Sequence, residues 1–388
     1  MNKYFAYIGF ASLALLSSCS SDIEEDLYVN PATVKVESSD VEIRLSSGSV
    51  TTRASIESDE AGLFEAEDIG VFCLARKENG VNNKELAINW NRNQTNDHWS
   101  IWMDNVKANA QKNAESTATE LTWADGNTSY WYPTGNWHCY GFYAYHPYQE
   151  DVANENEVFS TEIPLDGTQD VIWGKTWNFD KYAYSAKYFR DIPEAEDPQI
   201  VFKHKFMRLT FSIVAGADAN GSTEAAEKMG IKSLELMNVP SSAKLVIADR
   251  NGVSELGEGN VSADWENNLT NYVLMDPDDQ PLAELDAAAG TGYWATPTET
   301  TLGQGFLIPV PDVSPHTFQV RAILQNKDGV VFGNHEHPMD IVLTDGAYKA
   351  GKSYNVKIIV NGPQDIKIKA TLNGWIHEPG TTMKDLEF

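Results

Sequence analysis

Met207-Arg208-Leu209-Thr210-Phe211-Ser212-Ile213 decides the fold class. Met207, Leu209, Phe211 and Ile213 share one parity; Arg208, Thr210 and Ser212 share the other. Side chains of an extended chain point alternately to opposite sides, so this order describes a strand with one buried face. Phe202 and Phe206 fall on the other parity, which predicts a bulge or bend near Phe206. Downstream, the same signal repeats at 231–237, 243–248, 305–310, 318–324, 330–332, 339–343, 354–360 and 366–372. Asn326-Lys327-Asp328-Gly329 and Asn361-Gly362-Pro363-Gln364-Asp365 sit between neighbouring runs as hairpin loops do.

Upstream, Val71–Ala75 and Leu86–Trp90 read as strands. In Tyr140–Tyr145 both parities carry large or apolar residues, which suits a central strand buried on two faces. Val41, Ile43 and Leu45 alternate with Glu42 and Arg44, an isolated strand ahead of the globular pattern. Helical periodicity is scarce. Residues 222–229 read as two turns, and the Asn-rich stretch 91–119 as a long loop with a short helix near 105–115. Many short strands with turn signals predict an all-β protein of sandwiches rather than a parallel α/β sheet.

The chain has 388 residues, enough for two ordinary domains, and its 42 % hydrophobic content is that of a globular protein. Its net charge of −27 opposes phosphate backbones and argues against nucleic-acid partners. Residues 1–18 hold one charge, Lys3, and an apolar run from Ile8 to Leu16, too short to span a bilayer. Small residues and then Cys19 follow, an arrangement that resembles a bacterial lipobox. The resemblance implies acylation of Cys19 and a stable lipid anchor in the outer membrane. Asp22, Glu24, Glu25 and Asp26 form an acidic spacer, similar to tracts that send such lipoproteins to the outer surface. The expected organisation is a signal peptide over 1–18, an acidic leader with one strand over 19–53, and sandwiches over 54–197 and 198–388. Asp197-Pro198 is the joint.

Several short stretches, in this order, resemble the fimbrillin-like family, the type V pilins. They are Thr51-Thr52-Arg53-Ala54, Phe64–Phe72, Tyr130-Trp131-Tyr132-Pro133, Phe142–Pro147, Phe202–Lys205 with Arg208–Phe211, and the closing 354–360 and 366–375. The resemblance implies two tandem transthyretin-like β-sandwiches and a pilus subunit or adhesin without catalysis. It further implies that an Arg/Lys-specific surface protease removes the leader, which this sequence permits between Arg53 and Ala54. A strand from another pilin subunit then takes the place of Val41, Ile43 and Leu45. Removing a strand leaves unpaired backbone and an apolar trough, and a donor strand repairs both.

Eight of the eleven tryptophans lie between Trp90 and Trp177. Trp99 and Trp102, in the polar stretch, are candidates for an exposed platform that stacks on sugar rings. The alternative to a pilin is therefore a surface lipoprotein that binds glycans as a monomer. Cys73 and Cys139 are either buried thiols or one disulfide. His335-Glu336-His337 and Asp276-Pro277-Asp278-Asp279 lack the spacing of zinc or EF-hand sites, and no phosphate loop or dinucleotide fingerprint appears, so neither metal nor cofactor is expected.

Overall fold

The structure is a computed structural model. It describes residues 41–47, 66–78, 88–93, 99–111, 119–126, 129–133, 138–178, 183–278, 280–282, 293–309, 319–332, 339–340, 348–362 and 365–373. The first strands are β1 (Leu45–Ser47), β2 (Ala66–Glu78), β3 (Ile101–Gln111), β4 (Thr119–Trp123), β5 (His138–His146), β6 (Ala153–Glu155) and β7 (Val158–Pro164). Then follow β8 (Ile172–Trp177), β9 (Gln199–His204), β10 (Met207–Ala215), β11 (Met229–Pro240), β12 (Ser242–Asp249), β13 (Val261–Ser262) and β14 (Leu269–Val273). The last are β15 (Tyr293–Trp294), β16 (Thr300–Leu307), β17 (Gln319–Asn326), β18 (Val331–Phe332), β19 (Met339–Asp340), β20 (Ser353–Gly362) and β21 (Asp365–Asn373). Among the described residues the helical structure is one short helix, α1 (Ala186–Asp191), and a 3-10 turn at Ala226–Lys228.

The protein is all-β, built of packed sheets as the alternation predicts. Seven strands close into a barrel in the order β1-β4-β3-β2-β5-β8-β9. A second sheet runs β13-β12-β7-β6, a third β16-β10-β20-β21, and a fourth β14-β11-β17-β18 with β15 and β19 at its margins. The two parities of β2 and β5 serve different cores. Ile69, Val71, Cys73 and Ala75 with Phe142 and Ala144 fill the barrel. Phe72, Leu74, Tyr143 and Tyr145 face outward and pack with Phe159, Ile163, Leu245 and Ile247 of the second sheet. That is why Tyr140–Tyr145 shows apolar residues on both sides.

The strand deciding the fold class is β10, which pairs parallel with β20 and antiparallel with β16. The bend near Phe206 is the step between β9 in the barrel and β10 in the third sheet. β9 lies beyond the expected joint at Asp197-Pro198 yet pairs with β8 and β1. β7 and β12, from opposite sides of that joint, pair with each other.

Three local expectations need correction. Residues 105–111 are not helical: they belong to strand β3, which spans 101–111, and 112–115 lie outside the described residues. The alternation of β3 is broken because its register with β2 shifts between Ile101 and Met103 and again between Met103 and Val106, where Asn105 adopts φ +54; Trp102, Met103, Ala108 and Ala110 are all buried. Residues 88–90 are a strap, not a strand, held by Trp90, whose indole N–H donates to the Ala75 carbonyl at 2.9 Å. The helix lies at Ala186–Asp191, capped by the Ser185 hydroxyl, which accepts from the Tyr188 N–H; 222–229 holds the 3-10 turn at Ala226–Lys228 and then the start of β11 at Met229.

Candidate functional site

The barrel is closed by its smallest member. β1 pairs antiparallel with β4, Leu45 against Leu121 and Ser47 against Thr119, and parallel with β9, Ser46 against Gln199 and Ser47 against Ile200. The residues just before β1 extend the same seat. The Ile43 N–H donates to the Tyr130 carbonyl at 2.7 Å, and the Tyr132 N–H donates to the Val41 carbonyl at 2.9 Å. The Ser46 N–H donates to the Pro198 carbonyl at 3.1 Å. The segment is held along both edges by its backbone, a mode that does not depend on its side chains.

Its side chains divide by parity. Ile43, Leu45 and Ser47 are 1 %, 4 % and 0 % exposed, and Val41 is half-buried against the same core. That core includes Val71, Cys73, Tyr132, Phe142, Ile200 and Phe202. Burial pushes the Cys73 thiol and the Tyr132 hydroxyl well up, so both stay protonated and inert here. On the solvent side Glu42 accepts from the Ser129 hydroxyl at 2.7 Å, and Arg44 reaches Glu42 at 3.3 Å. Burial, with Glu42 nearby, holds the Asp197 carboxyl above its usual range, and Arg44 draws it partly back down.

Cys19, Arg53 and Ala54 lie outside the described residues, as do His335 and His337. Cys73 and Cys139 are both buried and free, so no disulfide joins them. Trp102 does not stand at an exposed surface. It is 4 % exposed, stacked on Trp99 with ring centroids 5.2 Å apart, and its indole N–H donates to the Trp131 carbonyl at 2.8 Å. Trp99 is half-buried in the same cluster. The Asp276 carboxylate is engaged within its own turn, accepting from the Asp278 and Gln280 N–H groups at 2.8 Å each.

A sequence profile of the fimbrillin-like family matches residues 52–375. The chain belongs to the fimbrillin-like family. The match begins after β1, so the seat of that strand lies within the family's region and the strand itself ahead of it. Among solved structures, this fimbrillin-like chain is similar to a fimbrial protein from Bacteroides vulgatus at 12 % identity, covering 86 % of this chain and 99 % of the other, with a TM-score of 0.47. It is also similar to a candidate cell-adhesion protein from Bacteroides uniformis, at 16 % identity over 88 % of this chain and 100 % of the other, with a TM-score of 0.49. The fimbrial anchor protein Mfa2 of Porphyromonas gingivalis matches at 9 % identity over 87 % and 99 %, with a TM-score of 0.31. A search of curated proteins finds no match. Membership places the protein in a class of fimbrial and adhesion proteins of the cell surface.

Residues 130–132 were visible in the sequence as a family-like stretch, but not as the bracket that holds the leader. The signal was available: Tyr130 and Tyr132 lie two apart, as do Val41 and Ile43, which an antiparallel pair requires. What sequence alone withheld was which of many such runs lay opposite.

Proposed function

We infer that this protein is a fimbrial subunit or adhesin made as a lipoprotein precursor. Cys19 carries the lipid that tethers it to the outer surface of the outer membrane. An Arg/Lys-specific surface protease cuts between Arg53 and Ala54, and a strand from another subunit replaces the leader strand. Once processed, the protein is part of an extracellular fibre. The single observation that carries this reading is that β1 is the strand joining β4 to β9. Its loss would leave one parallel and one antiparallel edge without partners, beside the hollow vacated by Ile43 and Leu45. Open edges over an apolar trough recruit another strand.

Limited trypsin treatment of the full chain, followed by mass analysis and sizing, tests it. Cutting at Arg53 with the appearance of a ladder of oligomers is the expected outcome. A protein that remains monomeric after complete cutting there would overturn the reading. The glycan-binding alternative has no comparable observation behind it, since the Trp99–Trp102 pair stacks on itself within a core.

A further inference from the structure

We propose that the seat of the leader strand selects its replacement by size and charge. It takes an extended segment with aliphatic residues at the Ile43 and Leu45 places, a small residue at the Ser47 place, and a base at the Arg44 place. The inference rests on the strand-replacement reading above and adds a rule for which strands qualify.

The size rule follows from burial along the strand. Ile43 and Leu45 are large, and both are enclosed, Leu45 on the rung opposite Leu121. Two residues on, the enclosed side chain is a serine. Ser47 is 0 % exposed on the rung shared by Thr119, 1 % exposed, and Ile200, 0 % exposed. Interiors are packed as densely as organic crystals, so a site filled by a serine between two buried neighbours has no room for a ring. Val41, half-buried at the far end, sets a looser demand.

The charge rule comes from the opposite parity. Ser46 donates to the carbonyl of Pro198, which brings Asp197 alongside the strand. Arg44 lowers the Asp197 carboxyl and pairs within the leader with Glu42 at 3.3 Å, whose other oxygen accepts from the Ser129 hydroxyl. A base at this place faces the Asp197 carboxylate, which belongs to the seat and stays when the leader leaves with its own Glu42; an acid would set a like charge against it. The occupant is accordingly a strand from a companion subunit that reads aliphatic, base, aliphatic, any residue, small. The order occurs a second time in this chain, at Ile366-Lys367-Ile368-Lys369-Ala370, preceded by Asp365 as Ile43 is preceded by Glu42.

The test uses the full chain cut by trypsin at Arg53 and fluorescent peptides of residues 41–47, with incorporation read by anisotropy. The parent peptide exchanges into the barrel. A Ser47→Phe peptide is expected to bind at least about tenfold more weakly, the cost of forcing a ring into a packed site. An Arg44→Glu peptide loses about threefold, in the range of an exposed ion pair. An Asp197→Asn protein abolishes the Arg44→Glu penalty and keeps that of Ser47→Phe. A peptide of residues 364–370 exchanges within about tenfold of the parent, since it satisfies every position. Equal binding of the parent and Ser47→Phe peptides overturns the size rule, and a 364–370 peptide that never enters shows that the rule is not sufficient. Failure of the parent peptide itself to exchange overturns strand replacement instead. The size rule is then read in the uncut chain: Ser47→Phe lowers the melting temperature by clearly more than Ser47→Ala does, and equal behaviour of the two overturns it.

Discussion

Two segments are fastened to the barrel from outside its main sequence, and they are fastened differently. The leader, residues 41–47, is held by backbone hydrogen bonds on two edges and by aliphatic side chains; among the described residues its ion pair is Arg44 with Glu42, which is exposed. The loop after β12 is held by side chains made for their partners. Glu258 accepts from Arg76 at 3.2 Å and pairs with Lys175. The Arg76 guanidinium lies over the rings of Trp177, Trp90 and Tyr143 at 4.1, 4.6 and 5.0 Å. Burial brings Arg76 down to about 10 against the upward pull of Glu258, so the ion pair is partly desolvated and still charged. Trp173 donates its indole N–H to the Ile247 carbonyl at 2.9 Å and packs on Gly259, where a Cβ would meet its ring at 2.5 Å. The lesson is one of exchangeability. Backbone bonds and aliphatic burial can be satisfied by another strand of matching outline and charge, whereas a stacked guanidinium and a glycine fitted to an indole accept one partner.

The sharpest way to break this contrast is at Trp173. Trp173→Ala removes a buried ring and its hydrogen bond and should cost about 3–5 kcal/mol in chemical denaturation. The loss should be the same before and after cutting at Arg53. Ile43→Ala comes next, at about 2 kcal/mol in the uncut chain, the low end for a buried isoleucine because the strand is short. Once the leader has been cut and replaced, the same substitution should cost nothing. An Ile43→Ala penalty that survives replacement would put the two segments in one category. Glu258→Gln leaves Arg76 and Lys175 without their carboxylate and should cost about 1–2 kcal/mol, since the side chain is mostly but not wholly enclosed.

The contrast also marks what sequence could and could not reveal. The alternation in β10 and β20 and the two-sided burial of β5 were legible because side-chain period alone determines them. The leader strand was legible for the same reason, with Ile43 and Leu45 on one parity. β3 was not, because its register with β2 shifts twice, between Ile101 and Met103 and around the left-handed Asn105, and so presents Trp102, Met103 and Ala108 in no regular order. The clamp was invisible for a different reason. Arg76, Glu258 and Trp173 are brought together across 182 residues between Arg76 and Glu258, and no local pattern announces such a meeting. Trp102 was misjudged by its polar neighbours: Asp104, Asn105 and Lys107 face outward or into turns, while the indole goes in.

The finest test compares the two segments by pH. Burial pushes the Glu157 carboxyl up, but the Trp90 N–H, Arg250 and Asn251 together bring it below its usual value. A carboxyl lowered in the folded state stabilises above its unfolded value, and that stability is lost as pH falls through the lowered one. Asp197, beside the leader, has the opposite sign. Its folded value is raised by burial and by Glu42, so its contribution is fully present below the ordinary aspartate range and is lost as pH rises through the raised value. Asp197→Asn should therefore stabilise the uncut chain slightly at neutral pH and leave it unchanged well below pH 4, where both side chains are neutral. The effect should be small because the carboxyl is more than a third exposed and water screens it. Glu157→Gln should do the reverse, destabilising at neutral pH and progressively less in acid. Thermal melts of the two variants across pH 3–7 should thus converge on the parent from opposite sides. Convergence from one side would mean that the leader is gripped by its charges as the clamp is, and that its backbone-held, replaceable character is mistaken.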